Sequence, residues 1–284
     1  MISGLAKLAA ASPLISLLVA INLGLSLPIA YRVVFEPMSP IDWHVLTEAG
    51  RDIMAGMNPY AGTTPDAYRW SPLLAYFFWA IEPIGHFGWT LLTLAPVAIL
   101  RDPRLIILFL AAWPLWRDVE TGVSFLFVPL LALLALRGSR AAGCGYAAVM
   151  FLIPRPLMLP VMGWLLWHRP ELRIPTVVIG VVLITGTVLT GWGDEWVAKL
   201  LLVGSEPGYF RVNVLQELGP AWILMLGLGT WLTMRGRLGL ASIAVAPYWV
   251  LSYALMLILE FRDRDEEVRR SEDRRRNGAA VRAT

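Results

Sequence analysis

Residues 177–189 read VVIGVVLITGTVL and residues 17–30 read LLVAINLGLSLPIA. Both runs are apolar almost without interruption. A strand of an outer-membrane barrel would alternate in polarity over about ten residues, so these runs reject a barrel and predict helices. Similar stretches recur from about residue 13 to residue 261, and the whole chain is 57% hydrophobic and 16% charged over 284 residues, with a mean hydropathy of +0.62. Soluble domains carry roughly 25% charged residues. The pattern therefore predicts an all-α, polytopic helical membrane protein and leaves little room for a soluble enzyme.

Basic residues separate the runs: Arg101 and Arg104 in RDPR, Arg137 and Arg140 in RGSR, Arg169 and Arg173 in HRPELR, Arg235 and Arg237 in RGR. Under the positive-inside rule these hinges face the cytoplasm. The net charge of +3 and pI of 9.2 are thereby accounted for, and nucleic acid is not an expected partner. The inferred spans are 13–34, 86–100, 104–116, 122–137, 140–153, 157–168, 173–191, 218–234 and 238–261, or about 9–10 transmembrane or half-spanning helices. Several fall short of the roughly 20 residues that cross hydrocarbon, which predicts thinning or a sunken site. Lys7 and the run after it have the outline of a signal peptide, but the run continues to Val34 and reads as an uncleaved first span. Residues 1–261 are expected to form one membrane domain and residues 262–284, RDRDEEVRR and onward, a charged cytoplasmic tail. A turn-back at Pro247 would split 238–261 into two short arms and return that tail to the hinge side. The opposite face receives the loop at 35–85, a turn at 116–120, the turn IPRP at 153–156 and a loop at 191–217. Function is expected there.

The loop at 35–85 holds two helices by its own grammar. SPIDWHVLTEAGRDIMAGMNPY starts with Ser39 as N-cap and Pro40 at the first helical position. It places Trp43, Leu46, Ile53, Met54 and Met57 on one stripe and stops at Gly56. SPLLAYFFWAI begins a second helix at Pro72, closed by Pro83 and Gly85. Both are read as amphipathic helices lying in the membrane interface.

Asp42, Glu48-Ala49-Gly50, Ala55-Gly56, Asn58-Pro59-Tyr60 and then Tyr68-Arg69-Trp70-Ser71-Pro72-Leu73-Leu74 resemble, in this order, the first luminal loop of GT-C superfamily membrane glycosyltransferases. The likeness is to the family 87 polyprenol-phosphate-mannose-dependent mannosyltransferases and to the catalytic subunit of GPI mannosyltransferase I. Pro154-Arg155-Pro156 is similar to the lysine-proline turn of these families, and GWGDEW at 191–196 with Asn213 to their later extracytoplasmic loop. One departure is plain: Gly122-Val123-Ser124-Phe125 stands where family 87 members often carry Gly-Gln-x-Asn.

The resemblance implies a GT-C-like fold in the plasma (inner) membrane, with the active site on the extracytoplasmic side. A sugar, mannose by the likeness, would pass from a polyprenyl phosphate to a hydroxyl of a lipid or glycan acceptor. Asp42 is then the candidate general base, since the acceptor hydroxyl must lose its proton as it attacks. As an ordinary first-turn carboxylate it would also favour the helix dipole. Arg69 and Arg155 are candidate ligands of the donor phosphate, because guanidinium stays charged beside lipid and its fork fits phosphate oxygens. An arginine between two prolines at a buried hairpin tip is costly unless it meets an anion. Arg117 is a third candidate, with pairing to Asp118 or Glu120 as its structural reading. His44, Tyr60 and Asn213 complete the expected substrate contacts. Pro40 precedes Asp42 and His44 follows it, so no Asp-x-Asp pair forms and no metal or other cofactor is expected. Cys144 is the only cysteine, which excludes an intrachain disulfide. Two other readings stand beside this one. A non-catalytic GT-C-like subunit would use its scaffold for assembly with membrane-protein partners or for lipid binding. A secondary transporter has less support, because no inverted repeat of hydropathy is apparent.

Overall fold

The computed structural model describes residues 13–35, 40–62, 68–99, 106, 109–121, 125–202, 217–247 and 251–261. Among them the chain is helical, with no strand. Helices α1 (Pro13–Phe35), α2 (Ile41–Met54), α3 (Pro72–Ile81) and α4 (Gly85–Ile99) form the first part. α5 (Trp113–Thr121), α6 (Phe127–Leu136), α7 (Arg140–Leu152), α8 (Leu159–His168) and α9 (Arg173–Leu189) follow. α10 (Gly193–Leu202), α11 (Trp222–Met234), α12 (Leu238–Val245) and a 3-10 arm, Leu251–Phe261, close the bundle.

The boundaries largely follow the turn chemistry. Ser71 caps α3, its hydroxyl accepting the Leu73 amide at 3.3 Å with Pro72 at the first helical position, and Gly85 at φ +66° ends the short 3-10 turn Glu82–Ile84 before α4. α2 ends at Met54, with Gly56 just beyond it at φ +73°. Its start differs from expectation. Pro40 is itself the N-cap, in an extended conformation at φ −71°, ψ 113°, and its carbonyl accepts the His44 amide at 3.1 Å. Asp42 thus takes the second helical position. Ser39 lies outside the described residues. Of the expected apolar stripe, Met54 and Met57 are exposed, and the buried stripe runs through Trp43, Leu46, Ala49 and Ile53. Residues 116–120 are not a turn but the body of α5, begun by Pro114 in its first turn, and α10 occupies part of the expected loop at 191–217.

Two ends can be told apart. At one, the hinge residues meet: Arg169, 8% exposed, donates to the carbonyls of Ala135, Gly138 and Ser139 at the end of α6. This cation satisfies carbonyls left over at a helix C-terminus and opposes its dipole. At the same end Glu260 accepts the amides of Gly239 (2.9 Å) and Leu240 (3.2 Å) and pairs with Arg237. α12 and the 3-10 arm therefore lie side by side, running in opposite directions about the break at Ala246–Pro247, as the turn-back reading expected. A Cβ on Gly239 would collide with the backbone at Met256, so only glycine lets the arms come this close. Arg101 and Arg104 lie outside the described residues.

Among the described residues one stretch, Pro170–Leu189, has the length and composition of a membrane crossing; it is 20 residues long and 22% buried. At 1.5 Å per residue it extends about 30 Å. The helices Phe127–Leu136, Arg140–Leu152 and Gly219–Met234 are apolar but shorter.

Candidate functional site

The opposite end collects the irregular segments. α2 and α3 pack through Gly50, where an added Cβ would stand 2.7 Å from the Ala75 carbonyl oxygen and 2.9 Å from the Trp79 backbone nitrogen. The glycine of Glu48-Ala49-Gly50 is there because another helix crosses at backbone contact. Trp43, Phe78 and Trp89 form an aromatic core beneath them, with centroids 5.0–6.0 Å apart and Phe78 edge-on to both tryptophans. The next loop is held by its tyrosines. Tyr60 donates to the Trp70 carbonyl at 2.8 Å, Tyr68 to the Ser71 carbonyl at 2.6 Å, and Asn58 Oδ1 accepts the Tyr60 amide at 2.8 Å. Burial pushes the Tyr60 phenol above its usual range, with Glu195 adding to the shift. Tyr60, expected as a substrate contact, is buried and spends its hydroxyl on the loop.

This loop is stitched to the IPRP turn. The Ser71 amide donates to the Leu152 carbonyl at 3.1 Å, and the Ser71 hydroxyl meets the Thr187 hydroxyl at 3.1 Å. Arg69, half-buried with Nε and Nη1 screened from solvent, and Arg155 therefore flank one junction. Arg155 is half-buried. Its guanidinium carbon lies 5.7 Å from the Phe125 ring centroid and 5.5 Å from that of Tyr253, and Nη1 donates to the Tyr253 hydroxyl at 3.3 Å. The rings supply cation–π attraction without neutralising the charge.

The residue that sequence reasoning missed is Asp118. Only 3% exposed, it accepts the Leu126 amide through Oδ2 at 2.9 Å, while Oδ1 is buried with no hydrogen-bond partner among the described residues. Burial holds its carboxyl well above the usual carboxylate range. The Leu126 amide, the Arg155 guanidinium and, more weakly, the Phe125 backbone amide oppose that shift, and the half-buried Asp42 carboxylate adds to it. Asp42 and Arg155 are thus both close enough to act on Asp118. The signal in the sequence was an acidic residue on the apolar side of an amphipathic helix, hidden by the more obvious pair Arg117–Glu120.

Arg117 follows its structural reading: it pairs with Glu120, which also pairs with Arg32 of α1 at 2.6 Å. His44 is exposed on α2. His86 Nε2 lies 3.2 Å from the Val119 carbonyl oxygen, and His168 stacks on Trp164. Among the described residues no group of three His, Cys, Asp or Glu side chains is disposed around one point for a metal. Asn213 and Gly122 to Ser124 lie outside the described residues. No protein-family model, curated protein or solved structure matches the chain.

Proposed function

We propose that the chain is a multi-pass membrane glycosyltransferase of the GT-C type, acting on the extracytoplasmic face of the plasma (inner) membrane. Its donor is a polyprenyl-phosphate sugar, mannose by the motif likeness, and its acceptor a lipid or glycan hydroxyl. The observation that carries the proposal is that Asp42 and Arg155, separated by more than a hundred residues, both act electrostatically on the buried Asp118. The membrane reading is supported by what the bundle leaves outside. Val181 is 59% exposed, Leu189 81%, Leu224 74% and Met234 75%, on helices whose apolar side chains water would otherwise wet.

The chemistry assigns each group a task. An acceptor hydroxyl attacks the anomeric carbon, its proton passes to the Asp42 carboxylate, and the bond from that carbon to the phosphate oxygen breaks with its electron pair on the phosphate. Arg155, with Arg69 across the junction, meets the charge that grows there. Arg155 is preset for this by its two rings and by Tyr253, which lowers the entropy lost on binding. Protein in nanodiscs, given polyprenyl phosphomannose and a membrane-lipid extract, consumes donor. Equal consumption by Asp42→Asn overturns the mechanism.

A second reading, a non-catalytic subunit that binds lipid or membrane-protein partners, is favoured by Gly122-Val123-Ser124-Phe125, whose last residue is a ring beneath Arg155 where the family carries amides. Stoichiometric copurification with partner chains and no donor consumption would establish it.

A further inference from the structure

We propose that Asp118 works in this cluster as a neutral carboxylic acid, its Oδ1 hydroxyl donating to a phosphate oxygen held by Arg155. The proposal rests on the glycosyl-transfer reading for its ligand, a phosphate ester, but the protonation of Asp118 stands on the structure alone. The two residues are tied to consecutive positions of one turn: Oδ2 of Asp118 takes the Leu126 amide at 2.9 Å, and the Arg155 guanidinium lies 5.7 Å from the Phe125 ring centroid. Oδ2 is therefore the acceptor oxygen. Oδ1, buried and without a hydrogen-bond partner among the described residues, is left to carry the proton. A protonated carboxyl has one O–H to give, and a buried polar atom with nothing to bond is costly unless a ligand completes it.

The surroundings favour this charge state. Asp42 lies on α2, packed against α5, and the Tyr253 phenol comes from the 3-10 arm. Arg32 from α1 and Arg117 on α5 itself are both engaged by Glu120. His86 of α4 bonds the Val119 carbonyl, and His44 stands exposed on α2. Arg155 is thus the one cation acting on Asp118 from the IPRP turn, against burial and against Asp42. Two ionised carboxylates would neutralise that cation and repel an incoming phosphate. With Asp118 neutral, this carboxyl takes nothing from the Arg155 charge that faces the ligand. Asp118 then adds a donor to the phosphate without adding charge.

The test uses the full chain in nanodiscs, as wild type, Asp118→Asn, Asp118→Leu and Arg155→Gln, with polyprenyl phosphomannose and inorganic phosphate as probes. Infrared difference spectra of the wild type at neutral pH should show a protonated-carboxyl band that moves when the lipid is added and is missing from Asp118→Asn. Absence of the band, or its persistence in Asp118→Asn, overturns the proposal. Asparagine is neutral and keeps a donor, so its affinity for the lipid should stay within about threefold of wild type, whereas leucine should lose about tenfold, the value of one hydrogen bond to a charged group. An affinity raised about tenfold or more in Asp118→Asn would mean that an ionised counter-anion had been removed, and would also overturn the proposal. A band moved by inorganic phosphate as well as by the lipid shows that the phosphate alone is recognised; a band moved only by the lipid assigns recognition to the whole donor. Arg155→Gln separates the two claims: undiminished lipid binding there sinks the phosphate assignment of the glycosyl-transfer reading, while the infrared band still decides the charge of Asp118.

Discussion

Asp118 Oδ2 accepts the Leu126 amide across eight residues at 2.9 Å, closing the turn between α5 and the start of α6. Asp118→Ala leaves that amide unpaired in a buried place and should cost about 1–3 kcal/mol. Asp118→Asn keeps an oxygen for the amide and should melt close to wild type in detergent. Equal losses for the two variants would show that the bond contributes nothing.

The same carboxyl makes stability depend on pH with a definite sign. Its folded value is raised, chiefly by burial, above the unfolded value of about 3.9. Below the unfolded value both states are protonated and the full stability is present. As pH rises, the unfolded chain ionises first, and stability is lost until the folded value is passed. The melting temperature of wild type relative to Asp118→Asn should therefore fall as pH increases from about 4. A difference that stays flat with pH contradicts the shift.

Gly50 gives a prediction about packing alone. With an added Cβ 2.7 Å from the Ala75 carbonyl oxygen, and backbone rather than a flexible side chain in the way, Gly50→Ala must push α2 from α3. The cost should be about 1–3 kcal/mol, although alanine favours an isolated helix by up to about 1 kcal/mol. Thermal melting reads the balance, and a stabilised variant would mean that the crossing is looser than described.

Much of this architecture is legible in the sequence because local chemistry dictates it. Ser71-Pro72 starts α3, Gly56 and Gly85 end their elements at positive φ, and the arginine hinges mark one end of the bundle. Pro40 misleads because proline is favoured at the first helical position, whereas here it stands one residue earlier, as an N-cap without a side-chain cap. Asp118 is illegible for a different reason: no local pattern tells a solvated carboxylate from a buried one, and its importance comes from Asp42 and Arg155, brought in by separate elements. Tyr253 is likewise found only through the fold-back of the last two arms.

That fold-back can be tested at its anchor. Glu260 accepts two first-turn amides of α12 and pairs with Arg237, so Glu260→Ala removes the cap of one arm by the other. The cap should be worth about 1–2 kcal/mol. Because the released arm carries Tyr253, donor consumption should fall along with melting temperature, although residue 260 is at the far end from the site. A stability loss without any effect on consumption would mean that Tyr253 holds its place independently.

The arginines separate a structural ion pair from a proposed ligand. Arg117 is engaged by Glu120, beside Arg32, on the partly exposed side of α5, where such pairs are worth about 0.2–1 kcal/mol and weaken with salt. Arg117→Gln should therefore melt slightly lower at low salt, converge on wild type at high salt, and consume donor at nearly the wild-type rate. Arg155 stacks on two rings and has Tyr253 as its hydrogen-bond partner. Arg155→Gln should lose about 10²–10³ in turnover, the scale for removing one preset electrostatic contact to a transition state. Arg155→Lys should recover only part, since an ammonium lacks the planar fork and stacks less well. Steady-state donor consumption with all three variants decides: a large loss at Arg117 with little change at Arg155 would move the phosphate site to the α1–α5 flank.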